Sequence, residues 1–171
     1  ELRAAVAADA KVEEDDSAHE YEHSIEVQLP WIQYLYENSV PICPISLGNV
    51  ALPVLEGVAG TLVTALEGRH AVVVASTDFS HYVPHDTAAR LDRGAIERLL
   101  ALDASGLVKE VAANRISMCG LSPVVLMLAV TRRLGADNAE LLKYCTSGDV
   151  TGDRSAVVGY AAVAVKKTGA S

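Results

Sequence analysis

The spacing of apolar residues predicts a chain of alternating helices and strands. Leu2, Val6 and Ala10 form one stripe, so residues 1–11 read as a helix already under way, and the start at Glu1 is expected to be a cut with chain before it. His23 to Glu37 carries Ile25, Val27, Leu29, Trp31, Ile32 and Leu35 mostly at helical spacing, with Pro30 expected to kink or divide the helix. Val40 to Leu47 is short, β-branched and punctuated by Pro41 and Pro44, the composition of a strand near a sheet edge. Leu52 to Glu67 shows a helical stripe that stops at Gly68, and Ala71 to Ser76 is an unbroken apolar run, as expected of a strand covered on both faces. Further helices are predicted over 86–102, 104–112 and from Ser122-Pro123 to Leu134, and the last strands over 141–146 and 157–165.

This alternation predicts a layered α/β/α domain with a mostly parallel, mixed sheet whose long terminal strand can run antiparallel at the edge. With 171 residues and half of them hydrophobic, one domain spanning 1–171 is expected, and no linker, repeat or low-complexity tract divides it. The formal net charge of −8 argues against nucleic acid and anionic membranes as partners. The longest apolar stretch falls far short of the ~20 residues that cross a bilayer, so the chain reads as soluble and cytoplasmic. Three scattered cysteines, Cys43, Cys119 and Cys145, do not form a secreted disulfide framework and are expected to be reduced.

Ligand sites in such folds lie beyond the C-terminal ends of strands, which directs attention to Thr77–His85. Asp78 and His81 follow the buried run directly, and three residues of separation allow the carboxylate to orient the ring. A capping Asp78 and a His81 packed in the loop would leave the same pattern, and spacing does not separate the two. His19-Glu-Tyr-Glu-His23-Ser-Ile-Glu26 is dense in ligand and proton-transfer groups, with His23 and Glu26 on one helical face; by spacing alone, a solvated acidic helix start is the favoured account of it. Cys119-Gly120 precedes a helix N-terminus, where a thiolate is favoured, although a lone cytosolic cysteine is more often structural. Cys43 and Cys145 fall inside expected strands and read as structural. Ser147 to Asp153 has neither phosphate-loop nor calcium-loop register and reads as a tight turn, with Arg154 and Ser155 beside it within possible reach of an anion.

Four motifs in order, Glu22-His-Ser-Ile-Glu-Val-Gln-Leu-Pro30, Ser76-Thr-Asp-Phe-Ser-His-Tyr82, Met118-Cys-Gly120 and Thr146-Ser-Gly-Asp followed by Ser155-Ala-Val-Val-Gly-Tyr-Ala-Ala162, resemble those of the Memo family (the B protein of the AmmeMemoRadiSam system). That family in turn resembles class III extradiol ring-cleavage dioxygenases in fold and metal position. The resemblance runs from about Glu13 to Val165. It implies that His81 and Cys119 are metal ligands, that Asp78 lies beside the metal, and that His23 and Glu26 line the same cleft, with His23, Asp78 and His81 as the catalytic set. Iron or copper is the implied ion, with zinc possible. Cys119 stands where a dioxygenase carboxylate would be expected, which shifts preference toward softer metals. The two histidines that the family contributes from an N-terminal region have no counterpart, so the chain reads as the C-terminal portion of the fold, open to completion by a separate N-terminal chain. Implied partners are a small-molecule or peptide ligand in the cleft, a radical SAM protein and an AMMECR-like protein. The resemblance thus implies a metal-dependent, dioxygenase-like oxidoreductase; the alternative is a non-catalytic peptide- or ligand-binding adaptor that uses the same cleft.

Overall fold

The computed structural model of the chain describes residues 2–9, 11–37 and 39–169. The first helix, α1 (Leu2–Ala7), is followed by a 3-10 turn at Asp16–His19, then α2 (His23–Glu26), α3 (Leu29–Tyr36) and α4 (Leu52–Leu66). The expected helical stripe through Ala10 ends outside the described residues. The helix expected over 23–37 is divided as the proline suggests: Pro30 sits in the first turn of α3, where its missing N–H costs nothing. Gly68, at φ +70°, follows the end of α4 in the left-handed conformation that glycine supplies.

The second half of the chain holds β1 (His81–Val83), α5 (His85–Leu100), α6 (Ala104–Asn114), α7 (Leu121–Arg133), β2 (Asn138–Thr146), α8 (Gly148–Thr151) and β3 (Val157–Lys166). Helix α4 buries Leu55, Val58, Ala59, Leu62 and Leu66, the i, i+3, i+4, i+7 stripe of its sequence, and packs on α7. Helix α5 packs against α6, β2 and β3, and alone among these helices places an acid, Asp92, in its buried face.

The sheet departs from expectation. It is antiparallel throughout, in the order β1-β3-β2, so the mostly parallel sheet is not what these strands form. The reason lies in the connections: β2 returns into β3 through the short α8 turn, which suits antiparallel neighbours, whereas parallel pairing needs a long crossover. The last strand, β3, lies between the other two rather than at the edge. Residues 71–76 form no strand and are not covered on both faces: Val73 and Ala75 pack against the core while Val72 and Val74 are 87% and 62% exposed. Alternation of this kind is strand geometry, but a ladder requires a neighbouring strand, and none of the described residues provides one. Residues 40–47 behave alike: no strand forms, Ile45 and Leu47 pack on the core, and Val40 and Ile42 face outward.

Candidate functional site

The loop after the apolar run is fastened from two sides. On one side it joins the sheet, where the Phe79 amide donates to the Gly159 carbonyl at 2.9 Å and the Gly159 amide donates to Ser80 at 2.9 Å. Beneath this junction the fully buried Asp92 carboxylate accepts from the Ser80 amide (3.0 Å), the Ser80 hydroxyl (2.6 Å) and the Tyr144 phenol (2.8 Å). Burial, and then the bond to Asp92, push the Tyr144 phenol well above its ordinary pKa of 10.0. A side chain at Gly159 would place Cβ 1.9 Å from Asp92 Oδ2, which explains the glycine near the start of β3.

On the other side the loop is joined to the segment leading into α7. The Cys119 amide donates to the Asp78 carbonyl at 3.3 Å, and the Gly120 amide donates to Thr77 Oγ1 at 2.8 Å. The approach is tight: a Cβ on Gly120 would lie 2.5 Å from Thr77 Cβ and 2.6 Å from the Ser76 carbonyl oxygen. Two short segments far apart in sequence are thereby held backbone to backbone.

Their side chains converge. Ligand atoms of Asp78, His81 and Cys119 all lie within 4.8 Å of one another, and this is the metal-competent group of three or more such side chains found among the described residues. Ser117 fixes the ring of His81. Its hydroxyl accepts from the His81 amide at 2.7 Å, and its carbonyl lies 2.8 Å from His81 Nδ1. A carbonyl can only accept, so Nδ1 carries a proton, and Nε2 is the ring nitrogen that faces Asp78 Oδ2, 3.7 Å away. Cys119 Sγ accepts from the Asp78 amide at 3.1 Å, which aims the sulfur at the same point. A thiol, an imidazole nitrogen and a carboxylate oxygen are together the donor set of a borderline or soft divalent ion or copper(I).

Other sequence-predicted residues lie elsewhere. His23 and Glu26 pair with each other at 3.0 Å on α2, both largely exposed, and neither belongs to the converging group. The bond from Gln28 Nε2 to Ser76 Oγ, 3.1 Å, links the end of α2 to the segment just before Asp78. Arg154 is engaged by Asp149 at 3.1 Å and Ser155 by Asp153, so the polar groups of that turn serve the turn. All three cysteines are free thiols. Sequence reasoning missed Ser117, Asp92 and Tyr144. A serine two residues before Cys119 carries no pattern of its own; Asp92 carried a signal, an acid on the otherwise apolar face of α5.

The fold and site define a class: an α/β protein that builds a compact His/Cys/Asp donor cluster where the loop before β1 meets the segment before α7. The model of the Memo-like protein family matches residues 1–164. Among curated relatives, a MEMO1 family protein of Methanopyrus kandleri is 45% identical over 158 residues, 91% of this chain and 56% of that protein. One from Ignicoccus hospitalis is 47% identical over 154 residues (89% and 54%), and one from Methanosarcina mazei 41% over 157 (91% and 59%). The chain belongs to the Memo family. It spans about half the length of the curated relatives it matches. None of its described helices is long and apolar enough to cross a membrane.

Proposed function

We propose that Asp78, His81 and Cys119 hold a metal ion, iron or copper with zinc as the third candidate, and that the protein uses it in oxidoreductase chemistry of the extradiol-dioxygenase-like kind. The observation that carries this reading is the convergence of the three ligand atoms within 4.8 Å. The donor set supports it: the Ser117 bond to Nδ1 leaves Nε2 of His81 facing the group, the sulfur lies on the same side, and a bound ion relieves the crowding of three electron-rich atoms. Asp78 becomes a candidate ligand rather than only a neighbour of the metal. The ion would supply a Lewis-acidic or redox centre for a ligand at its open coordination positions. The chain's own residues orient and move protons: Ser117 holds His81, and His23, backed by Glu26, is the exposed imidazole proposed to exchange protons from the α2 side.

Three protein donors leave a site that is open or incomplete. The outward-facing Val72 and Val74, beside an extended backbone with no ladder partner among the described residues, favour a further polypeptide strand pairing along 71–76. The part of the relatives that this chain does not match is the natural source of such a strand, from the same polypeptide or a separate one. Joint action with a radical SAM protein and an AMMECR-like protein is part of the same proposal.

The test is elemental analysis, after purification without oxygen, of this chain joined to the part of its relatives that it does not match, as wild type, Cys119→Ser and His81→Gln. Stoichiometric iron, copper or zinc in the wild type, lost in both variants, supports the site. Equal metal in all three, or none in the wild type, refutes it and leaves a ligand-binding adaptor as the better reading.

A further inference from the structure

Four non-glycine residues among those described have positive φ: Glu37, Leu102, Arg115 and Tyr82. Glu37 and Arg115 are the C-caps of α3 and α6, and Leu102 follows the end of α5, where left-handed backbone closes a helix. Tyr82 has no such reason. It lies inside β1, at φ +57°, where the ladder slips: His81 faces Val158 and Val83 faces Val157, so Tyr82 is the extra residue of a β-bulge. Bulges of this geometry ordinarily place glycine there, and a large side chain makes the conformation costly. Burial does not offset that cost, because Tyr82 is 80% exposed.

The exposed ring is not randomly placed. It follows the candidate ligand His81 directly, with ring centroids 6.0 Å apart in an edge-on arrangement. Tyr160 on β3 is the second aromatic on this side of the sheet. It is two residues on from Val158, which faces His81 across the ladder, so it stands on the His81 face of β3, and it is 39% exposed. The bulge therefore turns one ring outward beside the donor cluster while the sheet supplies another.

We propose that Tyr82 is a recognition residue, held in a strained bulge so that its ring, with Tyr160, forms an aromatic wall that stacks a planar aromatic ligand bearing an anionic oxygen directed at the Asp78/His81/Cys119 cluster. The inference rests on the metal-site reading for the anionic end and on the bulge for the ring. A backbone strained at a site and not repaid within the fold is the signature of a residue kept for what it binds.

The test uses intact protein with two carboxylates of the same donor group and different shape, benzoate and cyclohexanecarboxylate, their affinities measured by ligand-detected NMR. Aromatic stacking predicts a benzoate preference of about 2- to 10-fold in the wild type. Y82F should retain the preference. Y82G should abolish it and raise the midpoint of thermal unfolding, because glycine occupies the left-handed conformation without strain. No preference in the wild type, an undiminished preference in Y82G, or a lowered midpoint in Y82G overturns the proposal. Zinc titration of wild type and C119S, run beside these, reads the metal site separately: zinc binding that does not depend on Cys119 refutes the metal reading, whereas the ring preference is scored on the carboxylate pair.

Discussion

Replacing Asp92 by alanine removes the acceptor at the centre of the buried network beneath the site. Three donors lose their partner: the Ser80 amide, the Ser80 hydroxyl and the Tyr144 phenol, at 3.0, 2.6 and 2.8 Å. Ser80 is 1% exposed, so neither of its groups can turn to water, and each orphaned donor costs about 1–3 kcal/mol. The Tyr144 phenol is only part-buried and recovers some of its loss by hydration. The space left by the carboxylate adds to the cost, since Gly159 beside it has no side chain to fill it. The expected total is roughly 3–5 kcal/mol, a large share of the ~5–15 kcal/mol that holds a domain folded. Urea unfolding should show a lower midpoint at an unchanged slope. Tyr144→Phe should cost about 1–2 kcal/mol alone and almost nothing in the Asp92→Ala background, because its partner is already gone. A loss below about 1 kcal/mol for Asp92→Ala, or additive losses in the double variant, would refute the argument that this carboxylate organises the loop carrying Asp78 and His81.

Gly120→Ala should part the two segments that bring Cys119 to Asp78, since the added methyl meets backbone and Thr77 within 2.6 Å, and metal uptake should fall with the thermal midpoint. Val72→Lys should change the stability of this chain by less than about 0.5 kcal/mol, whereas Val73→Lys, one residue along and packed on the core, should cost several times more in urea unfolding. At acid pH, Asp149 is informative. The Thr146 amide, and then the charges of His85 and Arg154, hold its carboxyl below the ordinary 3.8 against opposing desolvation. Its contribution to stability is therefore present above 3.8 and lost as the pH falls through the lower folded value, so the fall in thermal midpoint below about pH 4 should be shallower in Asp149→Asn.

The sequence by itself determined the helices, because 3.6-residue stripes such as Leu55, Val58, Leu62 and Leu66 are local patterns that one face of one element satisfies. It also singled out His81 and Cys119 as candidate ligands, with Asp78 beside them, since all three stand in motifs whose order marks the family. The tertiary structure decided what depends on partners distant in the chain. Residues 71–76 read as a buried strand, but strand formation needs a neighbour, and without one among the described residues Val72 and Val74 face outward. The direction of the sheet followed from the short turn between β2 and β3, which apolar periodicity does not encode. The cluster itself is the clearest case: Asp78 and Cys119 lie 41 residues apart in sequence, and only the close approach allowed by Gly120, the Ser117 clasp on His81 and the buried Asp92 bring their ligand atoms within 4.8 Å.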